Sequence, residues 1–418
     1  MKISDIRPEV YDMAAKAQER LAGRFAEIDR VAEINTRRVM EAFQNNRVAE
    51  ACFAGTTGYG YDDLGRETLD KIYAEIFGTE AALVRIGFVN GTHALTAAMF
   101  ALVKPGDTIV AVTGMPYDTL RSAIGISGDC HGSLKFYGIN YAQVNLAADG
   151  GPDYAAIAEA ASKPNVTAVM IQRSRGYDNR NALSVDEIGR ICETVKAVNP
   201  EINIMVDNCY GEFTDIKEPT HVGADIIAGS LIKNPGGGLA PTGGYVAGKK
   251  ELVERAAMRL TTPGIGGECG STLGNNRLLF QGLFMAPHIV AQALKTACFC
   301  AAMMEALSIP TSPTPEEPRS DIIQMVKLGS VENMKRFCLG IQAGAPVDSY
   351  VTPEPWEMPG YDCPVIMAAG AFVQGSSIEL SADGPAREPY TVYMQGGLTY
   401  ESGKLGIMMA VSAMLDRQ

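Results

Sequence analysis

Apolar residues recur at helical spacing through the first 50 residues, as in VAEINTRRVMEAFQNNRV at 31–48. Because residues three and four apart share one face of a helix, this pattern predicts an N-terminal helical arm over residues 1–50. From about residue 80, short apolar runs typical of buried strands alternate with helical stretches. Examples of these runs are ALVRIGF, DTIVAVTG, VTAVMIQRS, INIMVDNCY and ADIIAGSLIK. Such alternation is typical of right-handed crossovers and predicts an α/β fold with a mostly parallel sheet covered by helices.

The pattern changes again in the C-terminal third of the chain. A long apolar helical stretch at 276–308 precedes the proline-rich segment TSPTPEEPRSD, and mixed strands and helices follow. The length of 418 residues also exceeds what one hydrophobic core holds, which is roughly 250–300 residues. We therefore predict a large domain over 51–270 and a smaller α+β C-terminal domain over 271–418.

Composition and charge exclude several classes of function. The formal net charge of -12 makes polyanions poor partners, so we expect no nucleic-acid binding. The charged N-terminus lacks the apolar region of a secretion signal, and no uninterrupted apolar run reaches about 18 residues, so we expect neither export nor a membrane span. Nine cysteines without CxxC spacing and four dispersed histidines predict a reduced, cytoplasmic protein without a metal site.

One lysine lies in unusual surroundings. Lys233 follows a short apolar run and precedes three glycines in GSLIKNPGGG. Lysines at the surface normally lie among polar neighbours, so this setting predicts partial burial, which lowers the pKa of a lysine as Schiff-base chemistry requires. The alternative is a lysine at a strand end whose stem is buried and whose ammonium reaches solvent.

Two further segments place polar groups where predicted strands end. Asp207 ends the apolar run INIMVD, at the edge of the sheet where open α/β proteins bind ligands. A carboxylate there can pair with a protonated pyridine nitrogen, and a turn or helix-capping aspartate is the alternative. Gly91 and Thr92 follow another predicted strand and begin a helix. The free N–H groups and dipole of a helix start favour a phosphate, and an ordinary capped turn is the alternative.

These segments occur together with YGYDDLGRETLD, MPYDTL and VDNCYGEF, in the order phosphate turn, aromatic residue, acidic residue, lysine. In this combination the chain resembles the enzymes of the aspartate-aminotransferase fold that depend on pyridoxal 5'-phosphate (PLP). Within that fold it is similar to the cystathionine and methionine gamma-lyases, and more narrowly to the methionine gamma-lyase family proteins also called aluminium-resistance proteins. The resemblance extends over nearly the whole chain from about residue 50 and implies the PLP-dependent transferase fold.

The resemblance implies roles for three side chains around the cofactor ring. Lys233 would hold the cofactor as a Schiff base and move protons at the α-carbon of the substrate. Asp207 would pair with the pyridine nitrogen, which keeps the ring able to accept electrons. Tyr117, in MPYDTL, would stack on the ring, and a tyrosine that only packs in the core is the alternative. His93 is assigned no role.

The cofactor phosphate would be bound by the backbone at Gly91 and Thr92 and by the hydroxyl of Ser230. The chain departs from the better-known gamma-lyases just before the lysine, where those enzymes tend to have a hydroxyl residue and this chain has Ile232. One phosphate contact of the family is therefore missing or moved.

A second departure lies in the early loop, where gamma-lyases carry Tyr-x-Arg that reaches the phosphate of the partner subunit. The corresponding positions here are Gly58 and Gly60. Tyr59, Tyr61 and Arg66 lie nearby in the sequence, and Tyr61 is the residue we expect to reach the partner's site.

The substrate carboxylate needs a bidentate partner, which is usually an arginine. In the fold that the chain resembles, this arginine comes from the C-terminal domain, and Arg387 in SADGPAREPYTVYMQGG is the candidate. A surface arginine is the alternative. Arg173 and Arg175 end a predicted strand at the ligand edge and are further candidates, for the carboxylate or for the phenolic oxygen of the cofactor.

The resemblance implies a carbon–sulfur lyase that acts on a sulfur-containing amino acid by β or γ elimination. A PLP-dependent aminotransferase is the alternative that the same residues would serve. A stress-response protein of this fold with little turnover is a second alternative, against which the pair Lys233 and Asp207 argues, since a protein that only binds needs no electron sink. The resemblance also implies a homodimer or homotetramer, in which the loop at 55–61 completes the neighbour's site.

Overall fold

The computed structural model describes residues 1–128, 131–358 and 363–415. The helices are α1 (Pro8–Arg20), α2 (Ala22–Asn45), α3 (Leu64–Ile76), α4 (Gly91–Leu102), α5 (Asp118–Ile124), α6 (Tyr154–Ala161), α7 (Val185–Val198), α8 (Lys250–Leu260), α9 (Asn276–Ala306), α10 (Val331–Ala343) and α11 (Tyr400–Leu415). The strands are β1 (Ala81–Arg85), β2 (Thr108–Ala111), β3 (Asn140–Gln143), β4 (Val166–Gln172), β5 (Asn203–Asp207), β6 (Ile226–Ser230), β7 (Gly244–Gly248), β8 (Thr311–Ser312), β9 (Ile323–Lys327), β10 (Val365–Ala369), β11 (Ser381–Pro385) and β12 (Thr391–Gln395).

A seven-stranded sheet in the order β1-β7-β6-β5-β4-β2-β3 forms the centre of the protein. The neighbouring strands from β3 to β6 pair in parallel, as the alternating pattern predicts. β7 lies between β1 and β6 and runs antiparallel to both. The strands β6 and β7 are buried along their whole length, which is the burial that continuous apolar runs produce when helices cover both faces. The prediction of a mostly parallel, covered sheet is confirmed.

The local sequence explains where the crossover helices begin. In α7, the Ser184 hydroxyl accepts a hydrogen bond from the backbone N–H of Glu187 at 3.2 Å. The Glu187 carboxylate accepts one in return from the backbone N–H of Ser184 at 2.8 Å. This capping box satisfies N–H groups that the first turn leaves without helical partners, and it fixes the start of the helix.

A second, five-stranded sheet follows in the order β10-β11-β12-β9-β8, and all of its paired strands are antiparallel. α10 and α11 pack against each other, and α10 covers β10 and β11. This part of the chain has the mixed helix and strand content that the sequence predicts for the C-terminal region. The division into domains at residue 270 stays a prediction.

The long helix α9 connects the two sheets. It packs against α2, α11 and β9, and its buried residues join one hydrophobic core with residues from both sheets. By length and composition alone α9 could cross a membrane, although most of it is buried inside the protein, as in a core helix. The absence of a membrane span therefore stays a prediction.

The helices of the predicted N-terminal arm are α1 and α2. Their apolar residues, including Val10, Ile28 and Val39, are buried in the same core as α9. The two helices therefore pack along the body of their own chain.

Candidate active site

The candidate site lies where the carboxyl ends of the central parallel strands meet. Gln172, Asp207 and Ser230 are the last residues of β4, β5 and β6, and the strand register places Gln172 directly beside Asp207. A cavity of about 540 Å³ opens in front of these strand ends and lies between the large and the small sheet. This is the edge at which α/β proteins bind ligands.

Lys233 lies three residues beyond the end of β6 and lines this cavity. Its Nζ atom is 3.9 Å from the centroid of the Tyr210 ring. Burial lowers the pKa of Lys233, but interactions with the neighbouring Cys209, Tyr210 and Asp207 raise it by more than burial lowers it, and the net pKa lies above its usual value. The sequence prediction of a lowered lysine pKa is therefore wrong for this arrangement.

Two of these neighbours, Cys209 and Asp207, differ in charge. Burial raises the pKa of the Cys209 thiol well above its usual value, so this thiol is neutral. Burial also raises the pKa of Asp207, while the charge of Lys233 and the backbone N–H of Cys209, at 3.1 Å from Oδ1, lower it. Because each charge of the pair stabilises the other, we expect Asp207 and Lys233 to be ionised together.

The predicted phosphate turn faces the same cavity. The Asn90 side chain caps α4 by accepting a hydrogen bond from the backbone N–H of His93 at 2.9 Å. Gly91 and Thr92 form the first turn of α4 and line the cavity together with Ser230. A Cβ atom on Gly91 would lie 3.1 Å from the Cβ atom of Ser230, so a side chain there would crowd this corner.

Tyr117 and Tyr177 form an aromatic side of the cavity. The Tyr117 backbone N–H donates to Gln172 Oε1 at 2.9 Å, which ties the start of α5 to the end of β4. The two tyrosine rings meet edge to face with their centroids 6.2 Å apart. Tyr117 is thus in the cavity, where the prediction of a stacking ring requires it to be.

The opposite wall comes from the small sheet, and sequence reasoning missed it. Ser381 and Asp383 on β11 and Tyr393 and Gln395 on β12 all line the cavity. The register pairs Ser381 with Gln395 and Asp383 with Tyr393, so all four lie on one face of the sheet. Their spacing of two residues was the available signal, but SADGP contains an aspartate, a glycine and a proline, which are all rare in strands.

Arg173 does not line this cavity, which corrects its assignment to the substrate carboxylate. It is fully buried, and its guanidinium donates to Asn208 Oδ1 at 2.8 Å and to Thr214 Oγ1 at 3.1 Å. It also lies 3.4 Å from a carboxylate oxygen of Glu218, which is equally buried. With both terminal nitrogens of its guanidinium hydrogen-bonded inside the large domain, Arg173 is a structural residue.

Arg387 and Arg175 line a second cavity of about 270 Å³. This cavity shares Tyr117 and Tyr177, among others, with the larger one, so the two spaces adjoin. Arg175 donates to the carbonyl oxygen of Ser312 at 2.9 Å, which links the large domain to the small sheet. The assignment of Arg387 to the substrate carboxylate stays a prediction.

The early loop lies elsewhere on the chain's own surface. The Tyr61 side chain is 57% exposed, stacks on Tyr59 with ring centroids 5.8 Å apart, and does not line the cavity that holds Lys233. Arg66 is buried and donates to the carbonyl oxygens of Gly60 at 2.5 Å and of Gly270 at 2.8 Å. Arg66 therefore holds the loop in place, and the role of Tyr61 in a partner's site stays a prediction.

The residues that line the cavity fit PLP. Lys233 offers an amine for the aldehyde, and Asp207 offers a carboxylate for the ring nitrogen. The start of α4 and the Ser230 hydroxyl offer hydrogen-bond donors for a phosphate. The space beside Gly91 exists because this residue has no Cβ atom.

Known proteins are similar to this chain in fold and in sequence. The PLP-dependent protein YhfS of Escherichia coli has the same fold, with a TM-score of 0.62 at 16% identity, covering 91% of this chain and 95% of that one. A crystal structure from Clostridium novyi NT, described as a carbon-sulfur lyase involved in aluminum resistance, has a TM-score of 0.95 and 51% identity, covering 98% of this chain and 97% of that one. The uncharacterized protein YnbB of Bacillus subtilis (strain 168) is 47% identical over 406 residues, which are 97% of this chain and 96% of YnbB.

The fold and the site therefore define a PLP-dependent enzyme of the aspartate-aminotransferase type, as the sequence predicts. The chain belongs to the methionine gamma-lyase family, whose model matches residues 10–415. The predicted similarity to the methionine gamma-lyase and aluminium-resistance proteins, and with it the prediction of a lyase, is confirmed.

Proposed function

We propose that this protein binds PLP through Lys233 and eliminates a thiol from a sulfur-containing amino acid. One observation carries the proposal: Lys233 and Asp207 line the same cavity as the glycine-containing start of α4. The family membership supports a carbon–sulfur lyase, and the Clostridium novyi relative is described as one.

Each part of the cavity has a task in binding the cofactor. The backbone N–H groups of Gly91 and Thr92 and the hydroxyl of Ser230 bind the phosphate, because a helix start attracts anions. Asp207 would bind the protonated ring nitrogen, and Tyr117 would pack against the ring. The bound cofactor supplies an electron sink for the bonds at the substrate α-carbon.

The chemical step falls to Lys233, which removes the α-proton. As a base it must be neutral, and the charge of Asp207 opposes this. With its carboxylate hydrogen-bonded to the ring nitrogen of a bound cofactor, Asp207 would stabilise the lysine cation less, and burial would then lower the pKa of Lys233 toward the range of a base. In this proposal, Lys233 has the low pKa that the chemistry requires only when PLP is bound in the cavity.

The substrate carboxylate binds on the side of the second cavity, where Arg387 and Arg175 supply positive charge. Arg387 is the exposed one of the two, and it can turn toward a ligand without breaking a buried contact. A bidentate carboxylate contact of this kind fixes the α-carbon relative to Lys233.

The test combines spectroscopy with product analysis. The purified protein with PLP is expected to absorb at about 420 nm, the region of a lysine-bound cofactor, and to release a 2-oxo acid and a thiol from sulfur amino acids. Lys233→Ala is expected to lose both signals. Lys250→Ala is the matched control, because this lysine is 71% exposed and lies outside the cavity, and it should change neither.

Two results would contradict the proposal. An absorbance band that persists in Lys233→Ala would remove the lysine from the site. Glutamate-dependent transamination without thiol release would show that the site serves an aminotransferase.

A further inference from the structure

The larger cavity contains one charged side chain without a task in the proposed function. The charged residues among its described lining are Asp207, Lys233 and Asp383. The first two serve the cofactor, and no arginine lines this space within the described part of the chain. Asp383 therefore makes the wall formed by the small sheet negative.

The hydrogen bonds around Asp383 hold it in place as an acceptor. The hydroxyl of Tyr177 donates to one carboxylate oxygen, and Gln395 Nε2 donates to the other at 2.7 Å. Asp383 is only 7% exposed. Burial raises its pKa to about 7, and the Gln395 hydrogen bond opposes that rise. Such a carboxylate is costly to ionise unless a cation lies beside it.

Gln395 provides a second and independent observation. It is 5% exposed and lines the cavity, and its Oε1 atom is buried without a hydrogen-bond partner. A buried acceptor of this kind costs about 1–3 kcal/mol until a donor reaches it. The Asp383 carboxylate and the unpartnered Gln395 Oε1 thus belong to two residues that line one part of the cavity, and the printed donors to Asp383, from Tyr177 and Gln395, are both neutral.

We propose that Asp383 and Gln395 form a subsite for an ammonium group on the sulfur side of the substrate. The inference rests on the proposed lyase function and names its substrate class, namely sulfur amino acids whose departing thiol carries an amino group. The substrate carboxylate lies toward Arg387, and the distal ammonium lies at Asp383. The two ends of the substrate thereby meet walls of opposite charge.

The simplest substrate with these features is S-(2-aminoethyl)-L-cysteine. Lys233 takes the α-proton, the Cβ–S bond breaks with its electron pair remaining on sulfur, and the sulfur takes up a proton. Addition of water to the three-carbon remainder gives pyruvate and ammonia. The balanced reaction converts one aminoethylcysteine and one water into 2-aminoethanethiol, pyruvate and ammonia.

The experiment compares this substrate with S-propyl-L-cysteine, which has a methyl group in place of the ammonium and the same number of heavy atoms. At about pH 8, above the Asp383 pKa of about 7, the holoenzyme is expected to favour the aminoethyl substrate by about tenfold or more in kcat/KM. Asp383→Asn is expected to bring the ratio close to one. Asp149→Asn, in an exposed loop outside the cavity, is the matched control and should keep the ratio.

Three outcomes separate the possibilities. A wild-type ratio near one, or a ratio that Asp383→Asn leaves unchanged, overturns the subsite while the lyase stands. If neither substrate releases a thiol, the proposed function fails. In that case calorimetric binding of the two amino acids to the same protein still tests the subsite: a preference for the aminoethyl compound that Asp383→Asn removes supports it, and equal affinities overturn it.

Discussion

Buried carboxyl groups give this protein a pH-dependent stability. Burial raises the pKa of Asp383 to about 7 and that of Glu212 to about 8, whereas exposed acids titrate near 4. The folded state therefore keeps these protons to a higher pH than the unfolded state does. By linkage, the stability that they contribute is complete at acidic pH and is lost as the pH rises through 7 and 8.

We expect Glu212→Gln to remove the loss of stability that Glu212 causes as the pH rises toward its pKa of about 8. Tyr245 donates to Glu212 Oε1 at 2.9 Å, and a glutamine oxygen can accept the same hydrogen bond. Thermal unfolding followed from about pH 5 to pH 9 is expected to show a decline in the wild type and a flatter curve in the variant, with a gain of about 1–2 kcal/mol at the alkaline end. Parallel curves would contradict this explanation.

Arg387, the first candidate for the substrate carboxylate, and Arg173, a further candidate, differ in the structure, and their variants should differ too. Arg173→Ala removes the nearer cation of the buried Glu218 carboxylate and leaves the Arg38 guanidinium at 3.9 Å, and we expect a loss of about 3 kcal/mol in the free energy of unfolding. Arg387→Ala is expected to change stability by less than about 0.5 kcal/mol and to raise the KM of the amino-acid substrate about tenfold. Denaturant unfolding and steady-state kinetics on both variants measure the contrast.

Secondary-structure elements differ in how far the sequence predicts them. β4, β5 and β6 are continuous apolar runs, and α7 has a capping box, so local preference and final structure agree. The runs also end in the residues that form the site. β7 has two glycines among its five residues, and β11 contains a glycine, a proline and a buried aspartate, so their strand structure depends on neighbours across the sheet. The cofactor side of the cavity was therefore predictable from sequence, and the Asp383 wall was not.

A substitution at the start of α4 tests the proposed phosphate site. Gly91→Ala places a Cβ atom 3.1 Å from that of Ser230, in the corner assigned to the phosphate. We expect PLP affinity, titrated into the apoprotein by absorbance, to fall about tenfold with little change in thermal stability. Gly23→Ala in α2 is the control, because nothing lies within 4 Å of an added Cβ atom there, and it should leave PLP affinity unchanged.

At the scale of the whole molecule, the loop with Tyr59 and Tyr61 does not line the cavity that holds Lys233 in its own chain. These two side chains are 75% and 57% exposed, and Val89, next to the phosphate turn, is 74% exposed. Exposed aromatic and apolar side chains at such places are typical of interfaces between subunits. The resemblance to the gamma-lyases predicts that this loop completes the site of a partner subunit, and the exposure of its tyrosines is consistent with that prediction.

Mixed oligomers test whether sites are shared. We expect Tyr61→Ala and Lys233→Ala each to be impaired as pure proteins. If Tyr61 reaches the partner's site, refolding the two variants together should restore activity, since one site of a mixed dimer then has both residues intact. The hypothesis predicts at most half of the wild-type activity, and activity no greater than the average of the two variants would refute it.

The antiparallel strand β7 has a mechanical consequence for Lys233. The segment that carries the lysine begins at Ser230 and ends at Gly244, and these two residues are direct partners in the ladder between β6 and β7. The hydroxyl of Ser376 also donates to the carbonyl oxygen of Ile232 at 2.9 Å, which attaches this segment to the small domain. With its backbone clamped on both sides, the lysine can travel between cofactor and substrate only by rotating the bonds of its own side chain. Proton transfer then demands no rearrangement of the sheet, and its reach is set by the length of four methylene groups.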